Sequence, residues 1–134
     1  MKLLNNVCKL PNAATGYHNN TAFVIHGTSA PGIVESMFRD LTHPYLPLLN
    51  VIGHCACRHL ELFQCSMAVL RYNESSSTYE LINIGDTRIH INGEVISKEL
   101  SPSFENAEIH IIPASQVQEV VLEYNADCAI SLQI

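Results

Sequence analysis

The chain has little positive charge. Lysine and arginine number seven against thirteen aspartates and glutamates in 134 residues, a formal net charge of −6. A protein that binds a phosphate backbone gains from counterion release only if it presents a basic face, so no nucleic-acid partner is expected. Long apolar runs are missing too: nothing approaches the roughly 18 residues that a membrane helix needs, and no membrane partner is expected. The start, MKLLNNVCKLPNAATG, places Asn5 and Asn6 where an export signal would build its apolar core, so it reads as no signal peptide. Five cysteines, an odd number, then point to reduced thiols in a cytosol rather than to a disulfide framework. There is also no nucleophile elbow, phosphate loop, HExxH or paired-carboxylate signature. On these grounds no catalytic or cofactor-binding residue is assigned, no cofactor is expected, and the chain is read as no enzyme.

What is present is material for a core. A hydrophobic fraction of 47% with 15% charged residues excludes a disordered tail, and 134 residues fit one domain. Val7–Leu10 reads as a first strand, Asn12–Asn20 as a turn-rich stretch, and Thr21–His26 as a second strand closed by Gly27, together an opening hairpin. Thr28 or Ser29 caps a helix with Pro31 in its first turn, whose apolar face is Ile33, Val34, Met37, Phe38 and Leu41 and whose end lies near His43-Pro44. The stretch 45–64 has no clean period and is left unassigned. Ser66–Tyr72 and Thr78–Ile84 read as strands around the polar loop Asn73–Ser77. Asn92-Gly93 readily supplies two positive-φ residues, so Arg88–Ile91 is expected to fold back on Glu94–Ser97. Glu108–Ile112 reads as a buried strand that Pro113 ends, and Val117–Glu123 and Ala129–Ile134 as the last strands.

Two strands, a helix across them and further strands follow the order of a β-grasp. On three segments the chain resembles the lambda-type phage tail assembly protein I family, in its ubiquitin-like N-terminal domain. These are Thr28–Leu49, TSAPGIVESMFRDLTHPYLPLL; Ile89–Ser97, IHINGEVIS; and Glu99–Ala114, with its Ile-His-Ile pattern before a proline. The resemblance implies an α+β fold, a ubiquitin-like sheet with one packed helix, over residues 1–134 as a single domain with an insertion at about 50–87. It departs from the family in that insertion and in the lack of the glycine- and alanine-rich continuation. It further implies a viral, non-enzymatic tail-tip assembly or virion structural protein. Its partners would be other phage tail-tip proteins and copies of itself, with the insertion as interface. Its location would be the host cytoplasm during assembly and then the virion tail.

Two alternatives remain. A sulfur-carrier or ubiquitin-like modifier activates a flexible C-terminal carboxylate, whereas Ser131-Leu-Gln-Ile134 is branched and apolar. A small zinc module is the other, because His54, Cys55, Cys57, His59 and Cys65 crowd together and imidazole plus thiolate suits zinc. The C-x-C spacing is too tight for the usual knuckle, so no metal ligand is assigned, and the cysteines are read as small buried hydrophobes. His54 or His59 beside Cys55 or Cys57 has the composition of a nucleophile and its base, without evidence of their geometry. His90 and His110 are read as ordinary polar-face residues of alternating strands.

Overall fold

A computed structural model describes residues 1–28, 30–41, 47–96 and 107–134. The side chains of Ile33, Met37 and Leu41 lie outside the described residues. So do Ser29, His43, Pro44, Ser97 and the Glu99–Asn106 part of the third resembling segment.

The strands are β1 (Lys2–Cys8), β2 (Ala13–His18), β3 (Thr21–His26), β4 (Ser66–Asn73), β5 (Thr78–Ile84), β6 (Arg88–Ile91), β7 (Glu94–Val95), β8 (His110–Pro113), β9 (Glu119–Asn125) and β10 (Cys128–Gln133). The helices are α1 (Ala30–Leu41) and α2 (Leu48–Arg58). The strands form two five-stranded sheets, one in the order β1-β10-β9-β6-β7 and the other in the order β2-β3-β4-β5-β8. All the pairings are antiparallel.

Side-chain alternation explains the layers. Ala22, Val24, Ala68, Leu70, Tyr79 and Leu81 of the second sheet face Ile89, Val120, Leu122, Ile130 and Leu132 of the first. The alternate residues Phe23, Ile25, Met67, Val69, Ile82 and Ile84 face away from the first sheet and meet Ala30 of α1 and Leu48, Val51, Ile52 and Cys55 of α2. Val34 and Phe38 of α1 pack against this cluster from its margin, with the Phe38 ring 5.7 Å from that of Phe23. The order of layers is sheet, sheet, helices. Arg58 of α2 ties the helices together through Asp40 of α1 at 3.1 Å.

The β-grasp expectation is therefore corrected. A β-grasp has one sheet with a helix on one face, whereas here the sheet that carries the helices is covered on its other face by a second sheet. The physical cause is visible in β3, where Thr21 through Ile25 are all buried, and in β4 and β5, where burial is equally continuous. A strand with one solvated face alternates; one covered on both faces reads as a continuous apolar run.

The local elements were mostly legible, and their partners were not. Thr21–His26 and Thr78–Ile84 form strands as expected, and the Asn92-Gly93 turn has positive φ at both residues, with His90 opposite Val95. The opening hairpin is different: β3 pairs with β2, from the stretch read as turn-rich, while β1 pairs with β10 at the far end of the sequence. Asn19 and Asn20, both at positive φ, make the β2–β3 turn. Residues 50–87, read as an insertion, contribute most of α2 and all of β4 and β5, the centre of the second sheet. Pro113 lies at the end of β8, opposite Thr78.

Candidate functional site

The space between the sheets is apolar along its length and turns polar at one end. His26 ends β3 and Ser66 starts β4 directly opposite it, so both project to the inter-sheet side. The His26 ring stacks on Tyr124 of the first sheet, with centroids 3.6 Å apart and planes inclined by 12°. Beyond β5 the chain crosses from the second sheet to the first through Gly85, Asp86 and Thr87. Gly85 has φ +96, and a Cβ there would lie 2.5 Å from Ser66 Oγ, so this crossing needs glycine. The same approach brings Ser66 Oγ within 2.6 Å of Asp86 Oδ1, to which it donates.

Asn83 and Thr87 lie just inside this rim, 1% and 0% exposed. Asn83 Nδ2 donates to the Thr87 carbonyl at 2.7 Å. Asn83 Oδ1 and Thr87 Oγ1 are buried without a protein hydrogen-bond partner. Two buried oxygens without partners are costly in an apolar interior and are ordinary where an ordered water satisfies them. Helix α1 begins just beyond this end of β3, on the outer face of the second sheet, its Ala30 N–H bonded to the Gly27 carbonyl at 3.0 Å.

The sequence-level candidates lie elsewhere. His54 and Cys57 are exposed on α2, while Cys55 is buried against the second sheet. Burial pushes the Cys55 thiol up to about 12, helped by the charge of Asp40 and by a 3.7 Å hydrogen bond to its carboxylate, so it stays protonated at neutral pH. His59 caps the end of α2, and Cys65 is buried beside Gly27. Among the described residues no three His, Cys, Asp or Glu side chains are grouped to hold a metal. His90 lines a separate cleft of about 260 Å³ on the outer face of the first sheet, with Gly93, Glu119, Val121 and Glu123. The rim residues themselves were missed. Their signal was the abrupt polar break after an apolar run, His26-Gly27 after TAFVI and Gly85-Asp86-Thr87 after LINI.

No protein-family profile matches the chain. No curated protein sequence matches it either. Solved structures do. A bacterial serine phosphatase aligns over 90% of this chain and 74% of its own, at 11% identity and a TM-score of 0.62. RsbX in complex with magnesium aligns over 90% and 69%, at 11% identity and 0.57. The PPM Ser-Thr phosphatase MsPP from Mycobacterium smegmatis, in complex with cacodylate, aligns over 90% and 74%, at 10% identity and 0.54. The chain has the fold of the PPM-type serine phosphatases. This overturns the resemblance to the phage tail assembly protein I family and, with it, the tail-tip assembly function and the viral and virion terms. The expectation of no enzyme is corrected as well, since enzymes use this fold in the matched structures. The error has a simple origin: the three resembling segments are one helix, one hairpin and one strand before a proline, local features that many sheets share.

Magnesium in the matched RsbX raises the question of a divalent ion here. Magnesium takes an octahedral shell of hard oxygen ligands, usually one or two protein carboxylates completed by waters. The carboxylates that the described residues place near the layers are already engaged: Asp86 by Ser66, Asp40 by Arg58, and Glu80 by Arg71 and Asn73. At the polar end the donors are one such carboxylate, an imidazole stacked on a ring, and neutral hydroxyl and amide oxygens. With no carboxylate there free of a protein partner and no three His, Cys, Asp or Glu side chains grouped, the described residues do not fit a magnesium ion.

Proposed function

We propose that this chain works in protein-phosphorylation signalling, as a phosphatase-related domain that recognises a phosphorylated serine or threonine of a regulatory protein. The observation that carries the reading is agreement with serine phosphatases and RsbX over 90% of the chain at TM-scores up to 0.62. A further solved structure, of the bacterial stressosome system, aligns over 97% of this chain and 95% of its own at a TM-score of 0.56, in keeping with a signalling role. The polar end of the inter-sheet space is the working end in this reading. There Ser66 and Thr87 carry hydroxyls, and Asn83 and His26 carry further polar groups.

The test is a paired titration of the full chain with a phosphoserine peptide and its unphosphorylated twin, with inorganic phosphate followed in the same samples, with and without magnesium. Preferential binding of the phosphorylated peptide is expected, and any phosphate release measures turnover directly. Equal affinity for both peptides without release would contradict the reading.

A further inference from the structure

Cys8 ends β1 and Cys128 starts β10, and the two are directly opposite in the antiparallel pairing. Opposed residues project to the same face, with Cα atoms about 4.5–5.5 Å apart, inside the roughly 4.4–6.8 Å range that a disulfide spans. Cys8 Sγ donates to the Ala13 carbonyl at 3.3 Å, which draws the thiol inward. The pairing of β10 with β9 is irregular between Cys128 and Ala129, which gives this corner local freedom. Cys8 is exposed and Cys128 is fully buried, so one sulfur faces oxidants and the other waits behind it.

We propose that Cys8 and Cys128 are a redox modification site, closing to a reversible cross-strand disulfide when the protein meets a peroxide. The step balances. The Cys8 thiolate attacks one peroxide oxygen, an S–O bond forms, the O–O bond breaks, and hydroxide leaves with a proton as water. The Cys128 sulfur then attacks the Cys8 sulfenic acid; an S–S bond forms, the S–O bond breaks, and the departing hydroxide takes the Cys128 proton as a second water. The two sulfurs lose two electrons together and the peroxide gains them. Burial, with the neighbouring Cys8, pushes the Cys128 thiol up to about 12, which fits a resolving rather than an attacking role. The product staples β1 to the sheet beside Ala13, whose register partner is His26, so the staple borders the polar end. The site does not depend on the phosphatase reading.

The experiment treats the full chain with a small excess of hydrogen peroxide, blocks remaining thiols with iodoacetamide, and maps peptides without reduction. The expected result is a peptide linking Cys8 to Cys128 in monomeric protein. It disappears on adding dithiothreitol, and it comes with a raised unfolding midpoint that Cys8→Ser does not show. Cys8→Ser changes an exposed strand end and keeps the fold, so it serves where Cys128→Ala does not. Cys8 oxidised to sulfinic acid beside a free Cys128, cross-links from Cys8 to another cysteine or another copy, or no reaction at either residue would each overturn the proposal.

Discussion

The two ends of the inter-sheet space are built from opposite chemistry. At the end where β3 begins, tyrosines close it: Tyr72 and Tyr79 meet with ring centroids 5.1 Å apart, and Tyr17 donates its hydroxyl to the Met1 carbonyl at 2.7 Å. Across the sheet at that same end, Arg71 and Glu80 form a buried pair at 3.3 Å that Asn73 completes at 3.1 Å. Polar groups there have partners. At the other end, where β3 finishes, Asn83 and Thr87 keep unpartnered oxygens and Ser66 and Asp86 sit on the rim. The two ends differ in how their polar groups are satisfied: at the tyrosine-closed end they are paired, and at the other, open end two buried oxygens are left without a protein partner, which is where the proposed ligand site lies.

The largest effect is expected at the closed end. Glu80→Ala leaves Arg71 in a site where its side chain is only 10% exposed, and removing one partner of a buried pair costs about 3–5 kcal/mol. Urea unfolding measures it, and a loss under about 1 kcal/mol would place the pair in water instead. Next come matched truncations. Tyr79, 2% exposed, should lose about 3–4 kcal/mol on change to Ala, whereas half-buried Tyr124 at the open end should lose about half as much. Equal losses would erase the distinction between the ends.

The central strands of the second sheet were legible in the sequence, and the contrast between its ends was not. Apolar runs located β3, β4 and β5, and Asn92-Gly93 located the β6–β7 turn, because those signals are local. The pairing of β1 with β10 joins residues more than a hundred positions apart, and no periodicity encodes such a partner. The helix α2 was unassigned because its stretch includes Gly53 and an exposed His54 beside buried Val51, Ile52 and Cys55, which blurs the helical period. The Cys/His cluster drew attention by crowding alone, while α2 holds Cys55 inward and Cys57 outward.

A smaller effect sharpens the open end. Thr87→Val keeps the shape and removes an unpartnered hydroxyl, so stability should be unchanged or rise by up to about 1 kcal/mol. A clear loss would mean that water already satisfies the hydroxyl in the free protein. Smallest at ordinary pH is the contribution of the buried thiols. Cys55 and Cys128 titrate at about 12 in the fold against 9.0 for the free side chain, so the folded state holds their protons more tightly. That stability is fully present below pH 9.0 and is lost as pH rises towards about 12. Unfolding midpoints across the alkaline range check the sign. Cys55→Ala should flatten part of the decline.

The most direct test of the account is backbone amide NMR of the full chain during titration with a phosphoserine peptide. Shifts are expected to concentrate at Gly27, Ser66, Gly85, Asp86, Thr87 and Tyr124 and to be weaker for the unphosphorylated peptide. Shifts confined to the His90, Glu119 and Glu123 cleft or to the tyrosine-closed end, or equal for both peptides, would contradict it.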